Sequence, residues 1–257
     1  MASAARRLDL IDTSPAFVQA DADRLNARFA GVATAEMLRE MLTTELKGRV
    51  AIVSSFGAES AVLLDLAAKV DPNIPVLFLD TGMQFGQTLD YRKTLTQHLG
   101  LTDVRDLRPH YQDLATADPE AKLWQTDTDA CCQVRKVVPL ERALEDFDGW
   151  ITGRKRFHGG ARLSLPVVEQ SGAHVKFNPL ANWTKADLDA YMEENNLPPH
   201  PLVDAGFPSI GCWPCTHPVE ETSDDVRAGR WAGSQKTECG IHVARAPGAV
   251  ANPGGDI

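Results

Sequence analysis

Hydrophobic residues change their spacing along this chain, and the change divides it into elements. Pro15 to Ala30 and Thr34 to Leu46 carry apolar side chains three and four apart, the pattern of amphipathic helices. "RVAIVSSF" (Arg49 to Phe56) is instead an unbroken run of small and β-branched residues, which predicts a buried strand. Helical spacing returns in "ESAVLLDLAAKV" (Glu59 to Val70). "IPVLFLDT" (Ile74 to Thr81) predicts a second buried strand, and "FGQTLDYRKTLTQHLG" a helix closed by Gly100. "LTDVRDLRP" gives a third strand and "WITGR" a fourth. Between them lies a helix carrying Cys131 and Cys132, capped by Asp127 or Thr128 and running on through "ALEDF" despite Pro139.

Strands alternating with helices, and strands apolar along their whole length, predict an α/β fold: a doubly wound, mostly parallel sheet covered on both faces. The pattern then changes. "LPVVEQSGAHVKFNPL" reads as a hairpin turning at Ser171-Gly172. "TKADLDAYMEENN" reads as a helix capped by Thr184, and "LPPHPLVDAGFPSIGCWPCTHP" as an irregular proline-rich segment. The last residues, "RAPGAVANPGGDI", are small and contain glycine and proline, which predicts a mobile end.

Composition narrows the function classes. The 257 residues suffice for one large α/β domain or two small ones. A formal net charge of −9 argues against nucleic-acid binding through bulk charge, so any anion site must be a local basic cluster. No apolar run approaches transmembrane length, and no apolar segment follows the arginines of "MASAARRLDLIDTSPAF" as a secretory signal would require. A cytoplasmic protein with no membrane partner is the expectation. There, cysteines point to metal binding or catalysis rather than structural disulfides.

Three strand ends carry candidate chemistry. The first strand runs into "SSFGAES", so Ser54, Ser55, Phe56, Gly57 and Ser60 form a turn at a helix N-terminus, where free N–H groups and the helix dipole favour an anion. It is neither a Walker loop nor G-x-G-x-x-G. The second strand ends at Leu79, Asp80, Thr81 and Gly82, a polar turn suited to a ribose or base edge. The fourth ends in "TGRKRFHGGAR", which places Gly153, Arg154, Lys155, Arg156 and Arg162 close together and suits an anionic substrate.

The five cysteines sort themselves by arithmetic. Cys212 and Cys215 form a C-x-x-C that alone fits a redox dithiol or half a metal site. With Cys131 and Cys132 they make four thiolates from two distant segments, the ligand number of tetrahedral zinc and of a [4Fe–4S] cluster. Adjacent helical cysteines diverge by about 100°, which suits a single zinc poorly and a cubane with separate irons well. Lys136 and the helix N-terminus offset cluster charge. Cys239, in "KTECGIH", is then left without a disulfide partner. Beside Gly240 and near Lys236 and His242, it is a candidate nucleophile whose covalent intermediate an external thiol must resolve.

These motifs together, "SSFGAES", "LDTG", "CCQVRK", "GCWPCT" and "ECGIH", cover nearly the whole chain and resemble the assimilatory adenylyl-sulfate (APS) reductases. The resemblance implies an adenine-nucleotide hydrolase-like fold, one [4Fe–4S] cluster per chain on Cys131, Cys132, Cys212 and Cys215, and no flavin or nicotinamide. It implies attack by Cys239 on the sulfate sulfur, release of AMP, and an S-sulfocysteine from which thioredoxin or a glutaredoxin-like reductant frees sulfite. Lys136 would link cluster and substrate, His242 would join the catalytic residues, and Arg227 and Arg230 would join Arg154 and Arg162 around the phosphosulfate. Residues 1–232 would form the nucleotide- and cluster-binding domain and 233–257 a mobile segment carrying the nucleophile; a homo-oligomer is left open. The PAPS reductases share loop and terminal cysteine but lack the four ligands, whose presence here favours APS and leaves PAPS reduction as the alternative. An iron–sulfur tRNA sulfur-transferase of related fold is less favoured, because Phe56 replaces a glycine of the S-G-G-x-D-S loop that cleaves ATP.

Overall fold

A computed structural model describes residues 17–220, 223 and 225–242. Six strands form one sheet: β1 (Val50–Ser54), β2 (Val76–Leu79), β3 (Val104–Leu107), β4 (Gly149–Ile151), β5 (Val168–Ser171) and β6 (His174–Phe177). Their spatial order is β3-β2-β1-β4-β6-β5, parallel throughout except for the β5–β6 hairpin at one edge. The predicted hairpin is thus not a separate unit: β6 pairs with β4 and extends the parallel sheet. The chain moves outward from β1 through β2 to β3, then returns to place β4 on the other side of β1. This reversal opens a crevice at the carboxyl ends of β1 and β4, where doubly wound sheets bind ligands.

The continuous apolar character of β1 follows from burial on both faces. Ile52 packs with Leu25, Leu38, Phe78 and Phe177 on one side. Ala51 and Val53 meet Leu77, Leu79, Trp150, Leu140 and Leu144 on the other. Helices α1 (Gln19–Arg28), α2 (Thr34–Glu40, continued by a π turn), α3 (Ser60–Ala68) and α4 (Gly86–Leu99) match the predicted segments, and Gly100 closes α4 at φ 64°. Short helices α5 (Tyr111–Ala117) and α6 (Leu123–Thr126) lead into α7 (Thr128–Cys132).

The cysteine helix starts as predicted: the Asp127 carboxylate accepts N–H bonds from Asp129 at 3.0 Å and Ala130 at 2.9 Å. It continues through a π turn (Gln133–Val137) into α8 (Val138–Leu144). Proline has no N–H to donate and its ring crowds the preceding turn. The wider π turn, closed by a bond from the Val138 N–H to the Gln133 carbonyl, gives Pro139 room and keeps the axis continuous. After the hairpin, α9 (Lys185–Glu194) is capped by Thr184, whose hydroxyl accepts from the Asp187 N–H at 3.2 Å. Among the described residues no helix is long and apolar enough to cross a membrane. The predicted mobile end, 245–257, lies outside the described residues.

Candidate active site

A pocket of about 190 Å³ occupies the crevice between β1 and β4. Its floor is the β1 turn, with Ser54, Ser55, Gly57 and Ser60. Leu79 comes from the end of β2, and Gly153 and Arg154 from the end of β4. Lys136 enters from the cysteine helix; Arg162, Arg227, Arg230, Cys239 and His242 close the other side. Residues far apart in sequence therefore meet at one sheet edge, as their positions at strand ends predict.

Three predicted binding residues do not line this pocket. Phe56 is fully buried, its ring edge-on to Phe78 at 5.5 Å in the core, with its backbone held at φ 48°. The Asp80 carboxylate turns to the Gly82 N–H at 3.1 Å and to Arg108 Nε at 2.8 Å. Thr81 is fully buried, and its hydroxyl lies 3.2 Å from Cys212 Sγ. The polar end of β2 therefore serves the cysteine region and the turn itself. Arg156 also faces away, donating to the Leu165 carbonyl at 2.8 Å.

Cation pairing separates the basic residues into two groups. Lys155 donates to Glu59 at 2.6 Å, Arg154 pairs with Glu169, and the Arg162 fork meets Glu238 at 2.6 and 2.8 Å. Arg227 reaches Glu238 at 3.5 Å. Lys136 and Arg230, by contrast, have no carboxylate partner among the described residues, and Arg230 Nε has no hydrogen-bond partner. Burial pushes the Lys136 ammonium down, but the Cys212, Cys239 and Cys132 thiols outweigh it and the net direction is up. The Arg230 guanidinium lies over the Trp231 ring at 4.6 Å and against Gly211. Any Cβ at 211 would sit 2.2 Å from its Nη2, so this glycine is what admits the arginine.

The same two cations act on Cys239. A hydrogen bond from Cys132 holds the Cys239 thiol well below the usual range against the cost of burial, and Lys136, the Ile241 N–H and Arg230 push the same way. The Cys132 thiol moves up in consequence. These influences favour the thiolate form of Cys239, which sits in a positive field at the pocket wall. His242 Nδ1 has no partner among the described residues, and the ring stacks on Trp150 at 5.9 Å. Burial, then Lys176, Arg154, Arg162 and Arg227, keep His242 neutral.

The other four cysteines lie against the same helix. Cys131, Cys132 and Cys212 are buried and Cys215 is partly so. Burial pushes the Cys131 thiol up to about 11, with Arg135 opposing and Cys212 and Cys215 adding to the rise. The two segments therefore face each other. Buried thiols beside Lys136 and Arg135 fit the anionic charge of a cubane, which offers each thiolate its own iron. Cys132, now turned to Cys239, would rotate to complete the set.

Sequence reasoning missed Glu238, Glu59, His158 and Lys176. Glu238 sits inside the quoted "ECGIH", but its partner Arg162 lies 76 residues away, so no local signal exists. Lys176, 3% exposed, stands over the Trp150 ring at 4.6 Å. Burial and Arg154 lower it to about 6.

Comparison with known proteins agrees with this geometry. A family profile described as the phosphoadenosine phosphosulfate reductase domain matches residues 49–218, well over half the chain. Relatives named adenosine 5'-phosphosulfate reductase include one from Mesorhizobium japonicum, 46% identical over 93% of this chain and 94% of its own. Another, from Mycolicibacterium smegmatis, is 39% identical over 87% of this chain and 94% of its own. Among solved structures, a phosphoadenylyl-sulfate (PAPS) reductase from Candida auris superposes with a TM-score of 0.64 at 28% identity, covering 77% of this chain and 96% of that one. An FMN adenylyltransferase from Candida glabrata (TM-score 0.50, 15% identity, 80% of this chain and 79% of that one) shares the fold alone.

Proposed function

The chain belongs to the phosphoadenosine phosphosulfate reductase domain family, and we propose that it reduces adenosine 5'-phosphosulfate to sulfite and AMP in assimilatory sulfate reduction. It is an oxidoreductase acting on a sulfur group. The observation that carries the mechanistic reading is Cys239 lining, together with Lys136 and Arg230, the wall of a pocket floored by the β1 turn.

In this reading the β1 turn and Leu79 hold the nucleotide, and Gly153 leaves room beside it. Lys136 and Arg230 face the phosphosulfate, while Arg154, Arg162 and Arg227 add positive field at the rim. The Cys239 sulfur attacks the sulfate sulfur; the S–O bond to the phosphate breaks and AMP leaves with its electron pair. A thiosulfonate remains on Cys239. A dithiol reductant of the thioredoxin or glutaredoxin type attacks Cys239 Sγ, sulfite leaves with the S–S electron pair, and the second thiol closes a disulfide on the reductant. His242, held neutral by burial and its cationic surroundings, would orient the Cys239 turn through its backbone N–H, which donates to the Cys239 carbonyl at 2.9 Å. Cys131, Cys132, Cys212 and Cys215 would hold a [4Fe–4S] cluster, which when bound supplies a local negative charge against which Lys136 sits. Its place of action would be the cytoplasm. Residues 233–257 would act as the segment delivering Cys239; those from 243 onward lie outside the described residues.

Purified protein given APS and reduced thioredoxin should release sulfite, and faster than with PAPS. No sulfite from APS would end this reading, and a faster reaction with PAPS would transfer it to the alternative substrate. Arg230→Ala should weaken APS binding by about 1.5–3 kcal/mol, the range for hydrogen bonds to charged groups. Binding of adenosine, which lacks the phosphosulfate, should be nearly unchanged. Equal loss for both ligands, measured by calorimetry, would place Arg230 outside the anion site.

A further inference from the structure

Several contacts fasten the segment that carries Cys239, among them a bond from Arg227 to the Thr237 carbonyl at 3.0 Å. Lys236 pairs with Asp129 in the first turn of the cysteine helix. Gly240 lies against that helix, where an added Cβ would stand 3.2 Å from Val137. The contact at the pocket is of another kind. Glu238 accepts both parallel N–H bonds from Arg162, at 2.6 and 2.8 Å, and the Cys239 backbone N–H at 2.9 Å. One carboxylate therefore joins the nucleophile's own backbone to a guanidinium on the loop after β4.

Arg162 has three of its five N–H groups engaged within the protein. Its Nε and Nη2 donate to Glu238, and its Nη1 lies 3.0 Å from His158 Nδ1. The pair is well shielded, with Arg162 9% and Glu238 15% exposed. Burial opposes ionisation of Glu238, but Arg162 and then Arg227 hold its carboxyl down at about 2. A bidentate, charge-assisted pair in such surroundings fixes direction as well as distance.

We propose that Glu238 is a positioning residue, and that its pair with Arg162 is the catch that closes the Cys239 segment over the nucleotide pocket. Arg162 then acts mainly through Glu238 rather than as a direct ligand of the phosphosulfate. The catch rests on the reductase reading for its purpose but not for its existence. Releasing it opens Cys239 to the external dithiol, and making it sets the thiolate against the substrate sulfur.

Glu238→Gln keeps the shape of the side chain and removes its charge. Hydrogen–deuterium exchange on the resting protein, without substrate, should show about tenfold faster exchange confined to residues 234–242 in E238Q and in R162Q, with the sheet unchanged. With APS, the single-turnover rate of Cys239 adduct formation should fall about 10- to 100-fold, while the APS dissociation constant changes less than about threefold. The E238Q/R162Q double variant should be no worse than either single one, because both remove the same contact. Unchanged exchange at 234–242 in both single variants would overturn the catch, whatever the protein does with APS. Multiplying rate losses in the double variant, or loss of APS affinity that matches the loss of rate, would return Arg162 to the substrate. If the wild-type protein forms no adduct with APS, the reductase reading fails, and the exchange data still decide the catch.

Discussion

Replacing Cys239 by serine should abolish sulfite formation while leaving APS binding intact. A hydroxyl placed where Lys136 and Arg230 stabilise an anion still does not ionise near neutral pH, and it makes a poor nucleophile toward sulfur. The pocket that holds the nucleotide is built from the ends of β1, β2 and β4, and none of those contacts depends on the sulfur of residue 239. The wild-type protein makes the complementary case. Given APS without a reductant, it should release about one AMP per chain and stop, because one thiolate is consumed and nothing regenerates it. Intact-mass analysis should show one added sulfonate, on the peptide containing Cys239. An adduct on another cysteine, or continued AMP release with no thiol present, would overturn the mechanism.

The second large effect is expected at the ligand cysteines. Cys212→Ser should lose bound iron and most activity, since a hard hydroxyl is a poor ligand for thiolate-preferring iron. Cys132→Ser should lose both as well, because Cys132 is a proposed ligand and would turn from Cys239 to the cluster when one is bound. Iron and acid-labile sulfide content of anaerobically purified protein, together with visible absorption, reads the loss directly. A Cys212→Ser protein that keeps full iron and full rate would remove the cluster from these residues. Zinc in place of iron in the wild type would contradict the argument from ligand spacing.

The sheet was legible because its signals are local. Two faces of burial write an unbroken apolar run into β1 and β2, and Asp127, Thr184, Gly100 and Gly172 each act within a few residues. Helix α5 was not legible: it buries none of its side chains, so no periodic stripe marks it. The π turn ahead of Pro139 answers a proline with geometry that no residue pattern announces. At the site, position at a strand end brings Ser54, Leu79, Gly153 and Arg154 to one pocket. Asp80 stands at such an end too, but Arg108, 28 residues on, takes its carboxylate. Pairings such as Glu238 with Arg162 depend on how distant segments pack, and a sequence shows the charges without showing who receives them.

Phe56 bears on how this fold could change its chemistry. Its backbone sits in the left-handed region, which costs a non-glycine residue about 1–2 kcal/mol, and glycine would relieve that. Yet the ring is fully enclosed beside Phe78, and emptying such a site costs about 3–5 kcal/mol. A single step from this loop toward the glycine-rich, ATP-cleaving form would therefore lose about 1–4 kcal/mol before any new activity could offset it, a sizeable share of a marginal stability. The two chemistries stand on the same sheet, separated by a stability valley that one substitution does not cross. Passage between them would require the core around Phe78 to refill first.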